Sequence, residues 1–102
     1  MKITINPKNF DLDEKTKQLV NDRLAEGLDH LLRDFDPNLL NATVKIEQFQ
    51  RHGYQVNFSM SLPGNKQIFA KEEDDKLSLA LSKLREDVER QLETITGKLK
   101  DY

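Results

Sequence analysis

Lys76, Lys83 and Arg90 stand seven residues apart near the end of a 102-residue chain. On a helix that spacing brings them within about 40° of one line, each about 10 Å from the next. A row of positive charge at that interval can follow a phosphate backbone. Lys98 falls near the same line. The competing reading is a solvated face whose charges pair along the helix, Lys83 with Asp87 and Glu86 with Arg90, with Glu89 on the flank. Charge pattern alone leaves both readings open.

Other residue types capable of chemistry are less well placed. No nucleophile stands in a pattern with a base. His30 and His52 fall on a helix and in a turn with no third group, and read as surface histidines. There is no glycine-rich phosphate loop. Glu72-Glu73-Asp74-Asp75 offers four acids in a row, but consecutive side chains alternate in direction and no second ligand cluster appears. This stretch reads as a solvated turn ending in a helix cap. Tyr54, Phe58 and Phe69 do not form the aromatic signature of an RNA-recognition sheet, and Tyr54 and Phe58 share a face with Val56 and Met60 that reads as core. No enzyme activity, metal, cofactor or small-molecule substrate is expected.

The elements that must position the basic row follow from hydrophobic periodicity. Leu77, Leu81, Leu84, Val88, Leu92, Ile95 and Leu99 lie in a band roughly 80° wide, so Asp75 to Leu99 is one amphipathic helix. Gly97 frays or caps its end. Upstream, residues 2–6 alternate as a short strand that Pro7-Lys8-Asn9 breaks. Asp13 caps a helix running to about Asp34, with Val20, Leu24, Leu28, Leu31 and Phe35 as its stripe and Leu19 and Leu32 at the edges. Gly27, inside that helix, implies close packing. Asp36-Pro37-Asn38 stops it.

Three strands come next. Residues 42–49 alternate until a phase slip at Phe49, which marks a bulge or a strand end near Gln48. Residues 54–62 alternate strictly, with one face buried and one wet. After the Pro63-Gly64-Asn65 turn comes a strand over 66–71. Short links make the last three strands an antiparallel meander. The fold class is therefore α+β, in the order β-α-β-β-β-α: a four-stranded mixed sheet with two helices packed on one face, forming a single domain over 1–102.

Composition limits the partners. Charged residues make up 33% of the chain, the net charge is −2, and there is no cysteine, so disulfides and thiolate metal sites do not arise. Residues 11–36 hold eight acids against four bases, whereas residues 75–102 balance at six each. With no basic excess, any phosphate binding must come from local placement of charge. No apolar run is long enough to span a membrane and the N-terminus lacks a signal-peptide core, so a cytoplasmic protein without a membrane partner is expected.

Several stretches carry a resemblance: the element order, INPKNFDLD at residues 5–13, Val20 to Ala25, the meander with Val44 to Glu47 and Tyr54 to Met60, and Val88-Glu89-Arg90-Gln91-Leu92. In order and spacing they resemble the ribosome hibernation factors, the ribosome-associated inhibitor Y and hibernation-promoting proteins also called the sigma-54 modulation family. The resemblance covers essentially the whole chain. It implies a non-catalytic translation inhibitor that occupies the mRNA and tRNA channel of the small ribosomal subunit and contacts rRNA through basic helix residues in stressed cells. A chain ending at Tyr102 looks like the family's short form, and the first two strands are expected to be neighbours. The resemblance places Arg23 and Arg90 at basic positions of the family pattern, with Lys83, Lys98 and Lys100 in its basic helix. The rRNA-binding set is thus Arg23, Lys76, Lys83, Arg90, Lys98 and Lys100. The chain departs from the pattern at Glu26 and Asp87, where the family carries basic residues, at Thr94, where it often has lysine, and at Leu77-Ser78, where it has an aromatic residue.

Two alternatives accompany this reading. A divergent member could keep the fold and contact proteins instead, as the acids around the first helix suggest. A double-stranded-RNA-binding domain shares the α-β-β-β-α order, but the extra first strand and the lack of a basic loop before the last helix argue against it.

Overall fold

A computed structural model describes residues 1–96, apart from the side chain of Thr96. Lys98, Leu99, Lys100 and the Gly97 cap therefore lie outside the described residues. The chain forms β1 (Lys2–Lys8), α1 (Glu14–Val20), a π-helical turn (Asn21–Glu26), α2 (Gly27–Leu32), a 3-10 turn (Pro37–Leu39), β2 (Asn41–Gln48), β3 (Tyr54–Leu62), β4 (Lys66–Asp74) and α3 (Leu77–Thr96). The sheet order is β1-β2-β3-β4, with β1 parallel to β2 and the other pairs antiparallel. The first two strands are neighbours, as expected from the resemblance.

The core lies between one face of the sheet and the helices. Val44 and Ile46 of β2, Val56 and Phe58 of β3 and Ile68 of β4 are buried from the sheet side. Val20, Leu24 and Leu28 meet them from the first helical arm, and Leu81, Leu84, Val88 and Leu92 from α3. Each such side chain contributes roughly 1.5–3 kcal/mol on leaving water. Asp13 caps α1 as expected, its carboxylate accepting the Thr16 N–H at 2.8 Å.

Two strands run past the ends that the sequence reading gave them. First, β1 does not break at Pro7: Pro7 pairs with Ile46 and Lys8 with Glu47. β1 is an edge strand, where a residue without an N–H is tolerated. Second, β4 runs on through Glu72, Glu73 and Asp74, which pair with Val56, Gln55 and Tyr54. The acids expected in a solvated turn are mostly strand, because β3 begins at Tyr54 and its register supplies partners that far. β2, by contrast, ends at Gln48, the strand end that the phase slip at Phe49 marks, and it has no bulge. It pairs continuously to Gln48, and the Phe49 N–H then donates to the Gly53 carbonyl at 3.0 Å, closing the turn. Gly53 has φ +99°, a backbone conformation that side chains with a β-carbon rarely adopt.

The first helical arm also departs from a plain α-helix. Val20, Leu24, Leu28 and Leu32 form a strict four-residue repeat, and all are buried. On an α-helix each four-residue step overshoots a full turn by about 40°. The π-helical turn, with wider i→i+5 closure, lies inside that repeat and takes up the drift. Leu32 is accordingly core, not edge, while Phe35 is only partly buried.

Candidate nucleic-acid interface

The π-helical turn carries Arg23 across to α3. Its Nε donates to Ser82 Oγ at 3.2 Å, and the Ser82 hydroxyl donates to the Ser78 carbonyl at 3.0 Å. One turn further along, the side chain of Arg85 crosses back over Gly27. A β-carbon at position 27 would come 2.6 Å from Arg85 Cδ, so the close packing expected at this glycine is close packing against an arginine stem. Arg85 Nη1 lies 3.4 Å from a Glu89 oxygen, while its Nε is buried with no hydrogen-bond partner. Asp22, Arg23, Gly27, Ser82 and Arg85 line a notch of about 260 Å³ between the two helical elements. Asp22 accepts from the Gln18 amide at 2.9 Å, and no acid lies within ion-pair distance of Arg23 among the described residues. The notch can therefore present the Arg23 guanidinium to an anion, with Arg85, itself paired with Glu89, beside it.

The row of Lys76, Lys83 and Arg90 lies on another flank. Lys83 follows Ser82 and so points about 100° around α3 from the notch. The structure does not bring Arg23 and this row together. The pairs expected along the helix are also replaced. Lys83 Nζ lies 2.8 Å from Asp74 Oδ2 at the end of β4, and Asp87 lies 3.9 Å from Arg90. Asp74 is held ready by the Lys76 N–H, which donates to its other oxygen at 3.1 Å. The hydrogen bond from Lys83, then that from the Lys76 N–H, holds the Asp74 carboxyl below the usual carboxylate range. The same contact raises the Lys83 ammonium above its ordinary value. The extension of β4 explains the change of partner: it carries Asp74 to the start of α3, within reach of a lysine nine residues later. Lys76 is exposed, and the Arg90 side chain is 76% exposed.

Arg85 is the residue that sequence reasoning passed over. Ser78, Ser82, Arg85 and Glu89 recur at helical spacing beside the leucine stripe, and that pattern was the available signal. Nothing in the sequence paired them with Gly27. Among the described residues, no group of three histidine, cysteine, aspartate or glutamate side chains could hold a metal ion, and no helix is long and apolar enough to cross a membrane.

Fold and surface together define a small α+β module that offers charged helix flanks and an open sheet. The chain belongs to the sigma 54 modulation protein / S30EA ribosomal protein family, whose model matches residues 3–100. Membership in this ribosome-associated family supports a ribosome-binding role. Solved structures share the fold. The crystal structure of Thermus thermophilus Protein Y N-terminal domain superposes with a TM-score of 0.77 at 22% identity, covering 93% of this chain and 99% of that one. A ribosomal subunit interface protein from Coxiella burnetii gives 0.72 at 19% identity, covering 95% and 99%. No curated protein matches the chain.

Proposed function

We propose that this protein is a non-catalytic translation inhibitor that binds the small ribosomal subunit in the mRNA and tRNA channel. Arg23 and Arg85 at the notch, with Lys76 and Arg90 on the outer flank of α3, contact rRNA phosphates, and the rigid body blocks the channel sterically. Lys98 and Lys100 extend the basic set. The observation that carries this reading is the family match over residues 3–100. A ribosomal subunit interface protein among the proteins of like fold points the same way. The protein acts in the cytoplasm, where ribosomes are.

The charges make the contact weaker than a strongly basic surface would. Lys83 is engaged by Asp74, Arg90 faces Asp87, and Glu26 is exposed on the first helical arm. Those pairings favour a second reading, a family member that has exchanged rRNA for a protein partner. Cosedimentation with small ribosomal subunits across a salt series separates the two. The first reading expects pelleting at low salt, release as salt rises, and loss of pelleting in Arg23→Glu/Arg90→Glu at unchanged thermal stability. Failure of the wild type to pellet at low salt overturns it.

A further inference from the structure

The face of the sheet turned away from the helices has a makeup that the helix surfaces do not explain. Strand register sets its residues in rows. Thr4, Thr43, Ser59 and Phe69 form one row, and Asn6, Lys45, Asn57 and Lys71 form the next. Phe69 is the only aromatic residue in these two rows and is 64% exposed. Its neighbour on β3 is Ser59, too small to cover the ring. Beside it lies a shallow depression of about 320 Å³ lined by Asn41, Thr43, Ser59, Ser61 and Gln67. These amides and hydroxyls make no side-chain hydrogen bonds among the described residues.

We propose that this open face binds single-stranded RNA, with one unstacked base resting on Phe69 and the adjoining phosphates reaching Lys45 and Lys71. Three observations converge on that occupant. An exposed aromatic ring on a sheet is a stacking surface for any base. The free amides and hydroxyls beside it can bond to base edges that an unpaired strand exposes. Lys45 and Lys71 have no acid partner among the described residues, whereas the acids of the following row are occupied. Glu47 lies 4.0 Å from Lys8 and accepts from Asn9, and Glu73 accepts from the Gln55 amide at 2.8 Å. Free positive charge therefore stands next to the ring. Lys71 is about 7 Å along β4 from Phe69, and Lys45 is two strands from Lys71, about 10 Å away. The platform is also fixed in place, because Gln91 of α3 donates to the Phe69 carbonyl at 2.8 Å and ties down this edge strand.

This inference does not rest on the ribosome reading, and the test keeps the two apart. Binding of a short fluorescein-labelled oligouridine is followed by anisotropy at low salt. Wild type is expected to bind, with affinity falling as salt rises. Phe69→Ala is expected to weaken binding about tenfold, and Phe69→Trp to preserve it. Lys45→Ala/Lys71→Ala should reduce the log–log salt slope by about 1.4, while Lys15→Glu, on the helical side, should bind as wild type does. Melting curves check that these surface variants remain folded. Amide shifts on adding oligouridine should cluster at Thr43, Ser59 and Phe69. The inference is overturned if oligouridine does not bind, if Phe69→Ala binds equally well, if an RNA duplex competes equally, or if the shifts fall on α3. Oligouridine binding without ribosome pelleting would sink the ribosome proposal alone, and the reverse result would sink this one alone.

Discussion

Gly27 and Arg85 occupy one volume between them: the arginine stem lies where a β-carbon at position 27 would be, 2.6 Å from Cδ. A glycine inside a helix costs about 1 kcal/mol relative to alanine. Gly27→Ala recovers that preference but must push the arginine aside, losing its cover and its half-buried pair with Glu89. Displacement also returns the buried Arg85 Nε to water. Gly27→Ala should therefore fall within about 0.5 kcal/mol of wild type, yet stabilise an Arg85→Ala background by about 1 kcal/mol. Urea unfolding of the four proteins measures this coupling. Equal effects in both backgrounds would show that the two residues do not compete for space.

Asp74 and Lys83 set the pH limits of stability at this end of the fold. The Asp74 carboxyl sits below its ordinary value of 3.8 in the folded protein. Its contribution is therefore present above that value and lost as pH falls through the folded pKa. Asp13, held down by the Thr16 hydrogen bond, acts in the same direction. Lys83 sits above 10.5, so its contribution is complete below that pH and lost as pH rises through the folded value. Asp74→Asn keeps a group that can accept from the Lys76 N–H and removes the charge. Urea midpoints against pH should then fall less steeply below about pH 4 than in wild type. An unchanged acid limb would rule out the ion pair as its source.

Asp87 faces Arg90 and Glu26 is an exposed acid on the first helical arm, so neutralising or reversing them should strengthen the proposed ribosome binding. Asp87→Asn and Glu26→Lys are each expected to raise the salt concentration at which the protein leaves the small subunit. Glu26→Lys should steepen the salt slope by about one unit if the new lysine reaches a phosphate. Cosedimentation over a salt series reads both. Release at lower salt than wild type would place these acids in favourable contacts.

Phe58 is the largest fully buried side chain of the sheet and belongs to the one core cluster that sheet and helices share. Phe58→Ala should cost about 3–5 kcal/mol through lost burial and the cavity left behind. Phe69→Ala, on the same sheet but the opposite face, should change stability by less than about 0.5 kcal/mol. Thermal melts of the pair compare the faces directly. Similar losses would mean that Phe69 is covered in solution.

Much of the fold was legible because burial imposes a period. The α3 stripe was readable from its leucines alone, and strict alternation located β3 to the residue. Boundaries failed where tertiary pairing outweighed local preference. Pro7 reads as a break until β1 is known to be an edge, and Glu72 to Asp74 read as a turn until the β3 register gives them partners. The strict four-residue repeat of Val20, Leu24, Leu28 and Leu32 was visible, but its consequence, a π-helical turn, depended on the sheet that all four residues must face.

The candidate surfaces were less legible because their decisive contacts cross the fold: Lys83 pairs with Asp74 of β4, and Arg23 with Ser82 of α3. The seven-residue row of Lys76, Lys83 and Arg90 was correct as a spacing. Its pairing was not deducible, since Lys83 finds its acid on β4 and only Arg90 keeps a neighbour on its own helix. Arg23 gains Ser82 and Arg85 gains Gly27 through contacts between segments far apart in the chain. Tyr54 and Phe58 already read as core from the face they share; what the register added is that Phe69 stands exposed on the open face beside Ser59. The sequence by itself determined the two apolar stripes, the strand alternation and hence the layers, because those depend only on the period of each element. Tertiary structure alone decided strand order, charge partners and the makeup of the open face, because those depend on which distant residues the packed layers set side by side.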